Sequence, residues 1–199
     1  MKALLLIDIQ NDFLPGGPLA APHGDEVVPV ANRLMDEFPL VIATQDWHPA
    51  EHRSFASQHL GRQVGQVIDL DGLDQVLWPD HCVQDTPGAE LSPALRRDAI
   101  RHIVRKGTDP RIDSYSGFFD NARRRATGLH EVLKREGVEE VHLVGVATDY
   151  CVRATALDAL EHGYRVVVHR CGVRGVDLQP GDSERALEEM RAAGAEIRE

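Results

Sequence analysis

Ala3-Leu4-Leu5-Leu6-Ile7-Asp8-Ile9-Gln10-Asn11-Asp12 is the stretch on which the fold turns. An apolar run with no polar alternation, closed by Asp8, Gln10, Asn11 and Asp12, is what a strand buried on both faces of a parallel sheet requires. Downstream, Val27, Val28, Ala31, Leu34, Met35 and Phe38 recur at helical spacing within Asp25 to Phe38, and Leu40 to Thr44 is a second short β-branched run. Together these make one β-α-β unit. The pattern repeats: a strand Arg101 to Arg105, a helix Thr127 to Glu136 closed by Gly137, and a strand Glu140 to Val146. A helix from about Tyr150 to His162, a strand Arg165 to His169, a helix Asp182 to Ala193 and a short strand near Ala195 to Ile197 complete the chain. Such alternation predicts an α/β fold, one doubly wound domain over 1–199 with a mostly parallel sheet of about six strands and helices on both faces. Ligands are then expected at the carboxyl ends of the strands.

The bulk composition narrows the class of function. With 199 residues, 42% hydrophobic and 27% charged, the chain can bury a single core and has the make-up of a globular protein. A formal charge of −10 opposes phosphate backbones and anionic lipid, so neither nucleic acid nor membrane is an expected partner. The densest basic cluster, Arg123 to Arg125, reads as a solvated face. No apolar run approaches the ~20 residues of a membrane span, and Met1 to Ile9 has neither a cleavage site nor a signal core, so a cytoplasmic location is expected. Three cysteines, Cys82, Cys151 and Cys171, form no CxxC pair and argue against disulfides and zinc ribbons.

The residues at the end of each predicted strand bring four chemistries to one rim. Asp8 closes the first, Asp46 and His48 the second, Lys106 the third, and Thr148 to Cys151 the fourth. Cys151 stands at a predicted helix start, where backbone N–H groups and the dipole favour a thiolate and could hold an oxyanion. Asp8 suits the base that takes its proton and Lys106 the charge that steadies both. Cys82 and Cys171 lack that setting and are read as packing residues. Asp46 and His48, at i and i+2 on an extended segment, point the same way. His81 can return from the aperiodic stretch of about 46–86 as a third ligand, leaving open positions of the kind a catalytic metal site keeps. His52 is assigned behind the ligands, and His23, His59, His102, His130, His142, His162 and His169 to surface or packing.

The pieces Asp8-Ile9-Gln10-Asn11-Asp12-Phe13, Asp46-Trp47-His48-Pro49, Trp78-Pro79-Asp80-His81-Cys82-Val83-Gln84, Lys106-Gly107, Asp113-Ser114-Tyr115-Ser116-Gly117-Phe118 and Gly145-Val146-Ala147-Thr148-Asp149-Tyr150-Cys151-Val152 resemble the nicotinamidase/pyrazinamidase family of isochorismatase-like hydrolases. The resemblance spans nearly the whole chain. It implies an isochorismatase-like fold, a triad of Asp8, Lys106 and Cys151, and one divalent metal on Asp46, His48 and His81, with zinc the first choice and iron or manganese the alternatives. It also implies a cis peptide before Ala147, an oxyanion hole from the backbone N–H groups of Ala147 and Cys151, and a pocket walled by Phe13, Trp78 and Tyr115 for a flat ring. The implied activity is hydrolysis of nicotinamide to nicotinic acid and ammonia through a cysteine thioester, with pyrazinamide as a further substrate, returning nicotinamide to NAD synthesis. The implied partner is a small ring amide, and a homo-oligomer is left open. Two rivals are weaker. A relative acting on carbamoyl or ureido compounds would share the trio but not the metal cluster, and a non-catalytic metal protein would not need the trio. Structural zinc would need a fourth, cysteine-rich ligand set.

Overall fold

A computed structural model describes residues 1–199. Its strands are β1 (Lys2–Ile7), β2 (Val41–Asp46), β3 (Val67–Leu70), β4 (Leu73–Val76), β5 (His102–Lys106), β6 (Glu140–Val146), β7 (Arg165–Arg174) and β8 (Glu196–Arg198), and its α-helices are α1 (Val27–Leu34), α2 (Leu129–Arg135), α3 (Arg153–Glu161) and α4 (Asp182–Ala193). Six of the strands form one parallel sheet in the order β5-β2-β1-β6-β7-β8. The expected sheet is the observed one.

The opening run behaves as its composition demands. Ala3, Leu5 and Ile7 pack with Leu129 and Leu133 of α2, Ala156 and Ala159 of α3, and Leu187 and Met190 of α4. Leu4 and Leu6 face the other way, against Val27, Val28, Ala31 and Leu34 of α1. Each face of β1 thus belongs to a separate apolar core, and alternation between two buried sides leaves no polar position from Ala3 to Ile7. From β1 the chain moves to β2 and β5 on one side, then returns to β6 on the other. The strand order therefore reverses between β1 and β6, and the carboxyl ends of those two strands frame the crevice where α/β sheets bind ligands.

Three local features depart from the sequence expectation. Strands β3 and β4 form an antiparallel hairpin inside the stretch read as aperiodic. Strand β7 runs on to Arg174, past the expected end at His169, by way of a register shift against β6 between Leu143 and Gly145. On that extension Cys171 is exposed, so it is not a packing residue, whereas Cys82 is fully buried as expected. The third departure lies at Cys151. Helix α3 begins only at Arg153, and a single π-helical turn, Thr148–Val152, carries the cysteine instead of an α-helical first turn. No helix is long and apolar enough to cross a membrane.

Candidate active site and metal centre

The crevice between β1 and β6 gathers every site residue expected from sequence. Asp8 follows β1 in a left-handed conformation (φ 48°), Asp46 and Lys106 end β2 and β5, and the π-helical turn after β6 holds Cys151. Strands β2 and β5 pair Asp46 directly with Lys106, which explains why two residues 60 apart in sequence meet. Lys106 Nζ lies 2.5 Å from Asp46 Oδ1, 2.9 Å from Asp8 Oδ2 and 3.4 Å from Cys151 Sγ, and it donates to the Ser114 carbonyl at 2.7 Å. All four side chains are buried. The Val146–Ala147 peptide that leads into Cys151 is cis.

Burial sets the protonation states. It opposes the Lys106 ammonium, but the Asp46 and Asp8 carboxylates outweigh it and hold the amine charged, well above its usual range. Burial raises Asp8 despite the Lys106 charge, with Asp46 adding to the rise. It also pushes the Cys151 thiol well up, against the pull of Lys106. A helix start favours a thiolate, whereas burial around Cys151 acts the other way, and the buried carboxylate of Asp8 is the group placed to take the thiol proton.

A second cluster adjoins the first through Asp46. Its Oδ2 lies 3.6 Å from His48 Nε2 and 3.9 Å from His81 Nε2. The far ring nitrogens are fixed by carbonyls, His48 Nδ1 donating to Gly107 at 2.8 Å and His81 Nδ1 to Pro79 at 2.7 Å. A carbonyl can only accept, so both Nδ1 atoms carry the proton and both Nε2 lone pairs face Asp46. His48 Nε2 is buried without any hydrogen-bond partner. Ligand atoms about 2 Å from an ion stand roughly 3 to 3.5 Å apart around a tetrahedron; the three donors lie a few tenths of an ångström wider and would close on a divalent cation by a small side-chain movement. Gly107 makes room for this: at φ +64° a Cβ there would meet His48 Cε1 at 2.4 Å.

His52 lies against His48 with ring centroids 4.3 Å apart and the planes tilted by 45°. Its Nδ1 accepts the Ser54 amide at 3.2 Å and its Nε2 lies 3.3 Å from the Ile112 carbonyl, so both nitrogens are engaged and the ring backs His48. Asp113, given no role from sequence, brings Oδ1 to 4.0 Å from His48 Nε2 and accepts Ser114 N–H at 2.7 Å. Two further residues without a role from sequence support the carboxylates. Gln10 accepts the Asp46 amide and donates to its carbonyl, both at 2.8 Å, and Thr44 bonds Asp8. A signal for them exists, since an amide or hydroxyl at the end of a strand buried on both sides must find a partner.

Phe13, Trp78 and Tyr115 all line one cleft, together with Leu19, Tyr150 and Val176. Asp46, His81, Asp113, Ala147 and Cys151 also open onto it. Trp78 and Tyr115 each meet Tyr150 edge to face, with centroids 4.9 and 5.3 Å away, and Trp78 Nε1 donates to the Tyr115 hydroxyl at 3.2 Å. The cleft is thus apolar and aromatic on its sides and charged at its base, the profile of a small-molecule site.

The isochorismatase domain model matches residues 2–199. A nicotinamidase of Escherichia coli is 54% identical over 98% of this chain and 93% of its own length. The chain belongs to the nicotinamidase branch of the isochorismatase family. Two solved structures of that branch share its fold. An Acinetobacter nicotinamidase/pyrazinamidase superposes with a TM-score of 0.96 at 43% identity, covering 100% of this chain and 95% of that one. The pyrazinamidase of Pyrococcus horikoshii, solved in complex with zinc, gives a TM-score of 0.80 at 44% identity over 98% of this chain and 97% of its own. Family membership makes this chain a hydrolase.

Proposed function

We propose that the chain hydrolyses nicotinamide to nicotinic acid and ammonia by way of a thioester on Cys151, with pyrazinamide as a second substrate. The observation that carries this is the meeting of Asp8, Lys106 and Cys151 with Asp46, His48 and His81 at the base of one aromatic-walled cleft. Asp8 takes the Cys151 proton as sulfur attacks the carboxamide carbon, and the backbone N–H groups of Ala147 and Cys151 receive the oxyanion. Asp8 then hands its proton to the departing ammonia, leaving the nicotinoyl thioester. In the second half Asp8 acts again as base for the water that releases nicotinic acid. Lys106 stays charged throughout and holds the carboxylate and the sulfur in reach of each other. Phe13, Trp78 and Tyr115 hold the flat ring so that the amide points to the base of the cleft.

Asp46, His48 and His81 would hold one divalent ion. Zinc is the first choice, as in the Pyrococcus relative, and iron or manganese are the alternatives that such a donor set accepts. When bound, the ion supplies a Lewis acid at the base of the cleft. A nucleophilic thiol needs a reducing compartment, which suits work in the cytoplasm, where nicotinic acid feeds NAD synthesis. Ammonia release from nicotinamide, measured for the purified protein, for Cys151→Ala and for a chelated sample, tests the proposal. Release lost in both controls is the expected result, and no release from metal-replete protein would overturn it.

A further inference from the structure

Thr44 lies one strand away from Asp8 and belongs to none of the groups that react. It is fully buried, its hydroxyl donates to Asp8 Oδ1 at 2.6 Å, and its oxygen accepts the Asp8 backbone N–H at 3.2 Å. One hydroxyl therefore grips the same residue twice, by side chain and by main chain. The second bond answers a need created by topology. The β1 to β2 pairing ends at Leu6 and Ala43, and Asp8 turns into the left-handed region, so its amide loses any ladder carbonyl. The methyl of Thr44 lies against the Gly117 loop: a Cβ on Gly117 would meet Thr44 Cγ2 at 3.1 Å, and Gly117 N–H donates to Thr155 Oγ1 at 2.9 Å. That leaves the oxygen pointing at Asp8.

The two carboxylate oxygens of Asp8 consequently differ. Oδ1 is committed to Thr44, whereas Oδ2 pairs with the Lys106 ammonium at 2.9 Å, itself 3.4 Å from Cys151 Sγ. Lys106 thus links Oδ2, not Oδ1, to the sulfur, and charge pairing is what stabilises this buried oxygen. We propose that Thr44 is a positioning residue that fixes Asp8 by Oδ1, so that Oδ2 alone exchanges the proton with Cys151. The assignment rests on the proposed cysteine mechanism and adds to it the oxygen that works and the side chain that selects it. Without the Thr44 hydroxyl the carboxylate is free to rotate, and either oxygen, or neither, meets the sulfur.

Thr44→Val keeps the volume and removes the hydroxyl, and Thr44→Ser keeps the hydroxyl. A hydrogen bond to a charged group is worth enough that its loss from the reacting geometry costs roughly 10- to 100-fold. For Thr44→Val, kcat on nicotinamide is expected to fall by that factor while KM stays within about threefold, because the aromatic walls are untouched. Alkylation of Cys151 by iodoacetamide, followed by peptide mass so that exposed Cys171 is counted separately, should slow in parallel. In that reaction sulfur displaces iodide and Asp8 takes the thiol proton, so it reports on the same transfer without the substrate. Thr44→Ser should recover both rates to within about threefold, and Asp8→Asn should alkylate as slowly with Thr44→Val as without it. Circular dichroism and metal content of each variant separate this from misfolding. Folded Thr44→Val with both rates within threefold of wild type overturns the proposal, as does Thr44→Ser that fails like valine. If the wild type does not turn over nicotinamide, the proposed function fails while the alkylation series still decides the role of Thr44.

Discussion

Replacing Lys106 by methionine, similar in length and uncharged, removes the one positive side chain from a cage that holds two carboxylates and a thiol. At the observed 2.9 and 2.5 Å, and an effective dielectric constant near 20, the ammonium attracts Asp8 and Asp46 by about 6 and 7 kcal/mol. Most of that is spent on desolvating the charges, and losing one member of a buried pair costs a net ~3–5 kcal/mol. In a chain of this size, that lowers the melting temperature by roughly 6–20 °C. The same change leaves carboxylates within 4.8 Å of each other with nothing between them. Repulsion then drives a proton onto one of them, and Asp8, whose affinity for a proton is already raised by burial, is the one that takes it. A protonated Asp8 cannot accept from Cys151, so turnover should fall by roughly 10³ or more, beyond the loss of one electrostatic contact. Thermal melting and ammonia release on the same preparation give both numbers. Asp8→Asn combined with Lys106→Met should melt higher than the sum of the two single losses predicts, because it removes an uncompensated buried charge. A Lys106→Met protein that melts within about 2 °C of wild type, or keeps a tenth of its activity, would refute the cage as drawn.

His48→Ala should lower bound metal and turnover together, measured by elemental analysis and ammonia release, while chelated wild type should regain activity with zinc, manganese or iron. Trp78→Ala should raise KM for nicotinamide roughly tenfold or more, from the loss of one aromatic wall, and leave the iodoacetamide reactivity of Cys151 nearly unchanged. Stability should also fall in acid for a reason remote from the site. Burial, with His142 beside it, pulls His169 down to about 4, so between pH ~6.5 and ~4 the unfolded chain binds a proton that the folded one refuses. Urea unfolding should show stability declining below pH ~6.5, with His169 contributing about 1–2 kcal/mol beside the other histidines that burial depresses, its full shift being damped by solvent near the ring, and His169→Gln should shrink the decline by that amount.

The sheet was legible because burial on both faces leaves so strong a mark: Ala3 to Ile7 and Leu143 to Val146 admit hardly any solvent and are accordingly apolar. The convergence of Asp8, Asp46, Lys106 and Cys151 on one rim was legible for a related reason, since each stands at or just after the end of such a strand. The β3–β4 hairpin was not seen. Its strands are only four residues long, and Val67 and Asp69 are exposed, so no apolar face is written into them. Yet Asp71-Gly72, both at positive φ (54° and 86°), is a strong short turn signal that could have revealed it. That omission hid Gln75 of β4, which reaches Asp113 and the Tyr115 hydroxyl at 3.3 Å each. The desolvation of Cys151 was illegible for a different cause. A helix start can be guessed from residue order, but the degree of desolvation around a thiol is decided by what closes over it from elsewhere in the chain.

Asp46 joins the two halves of this site. One oxygen faces Lys106 and the other faces His48 and His81, so the same carboxylate balances the catalytic ammonium and supplies the only negative charge among the three proposed metal ligands. Gln10 holds its backbone on both sides, which fixes where the carboxylate is anchored. Asp8, Asp46 and Lys106 together leave one net negative charge in a buried space, and a divalent cation on Asp46, His48 and His81 would turn that excess into one net positive charge. A field of that sign would favour the thiolate that burial alone disfavours and would ease the proposed oxyanion. Mutating Asp46 therefore damages the nucleophile as well as the metal centre, whereas His81 can be changed with the cage around Lys106 intact.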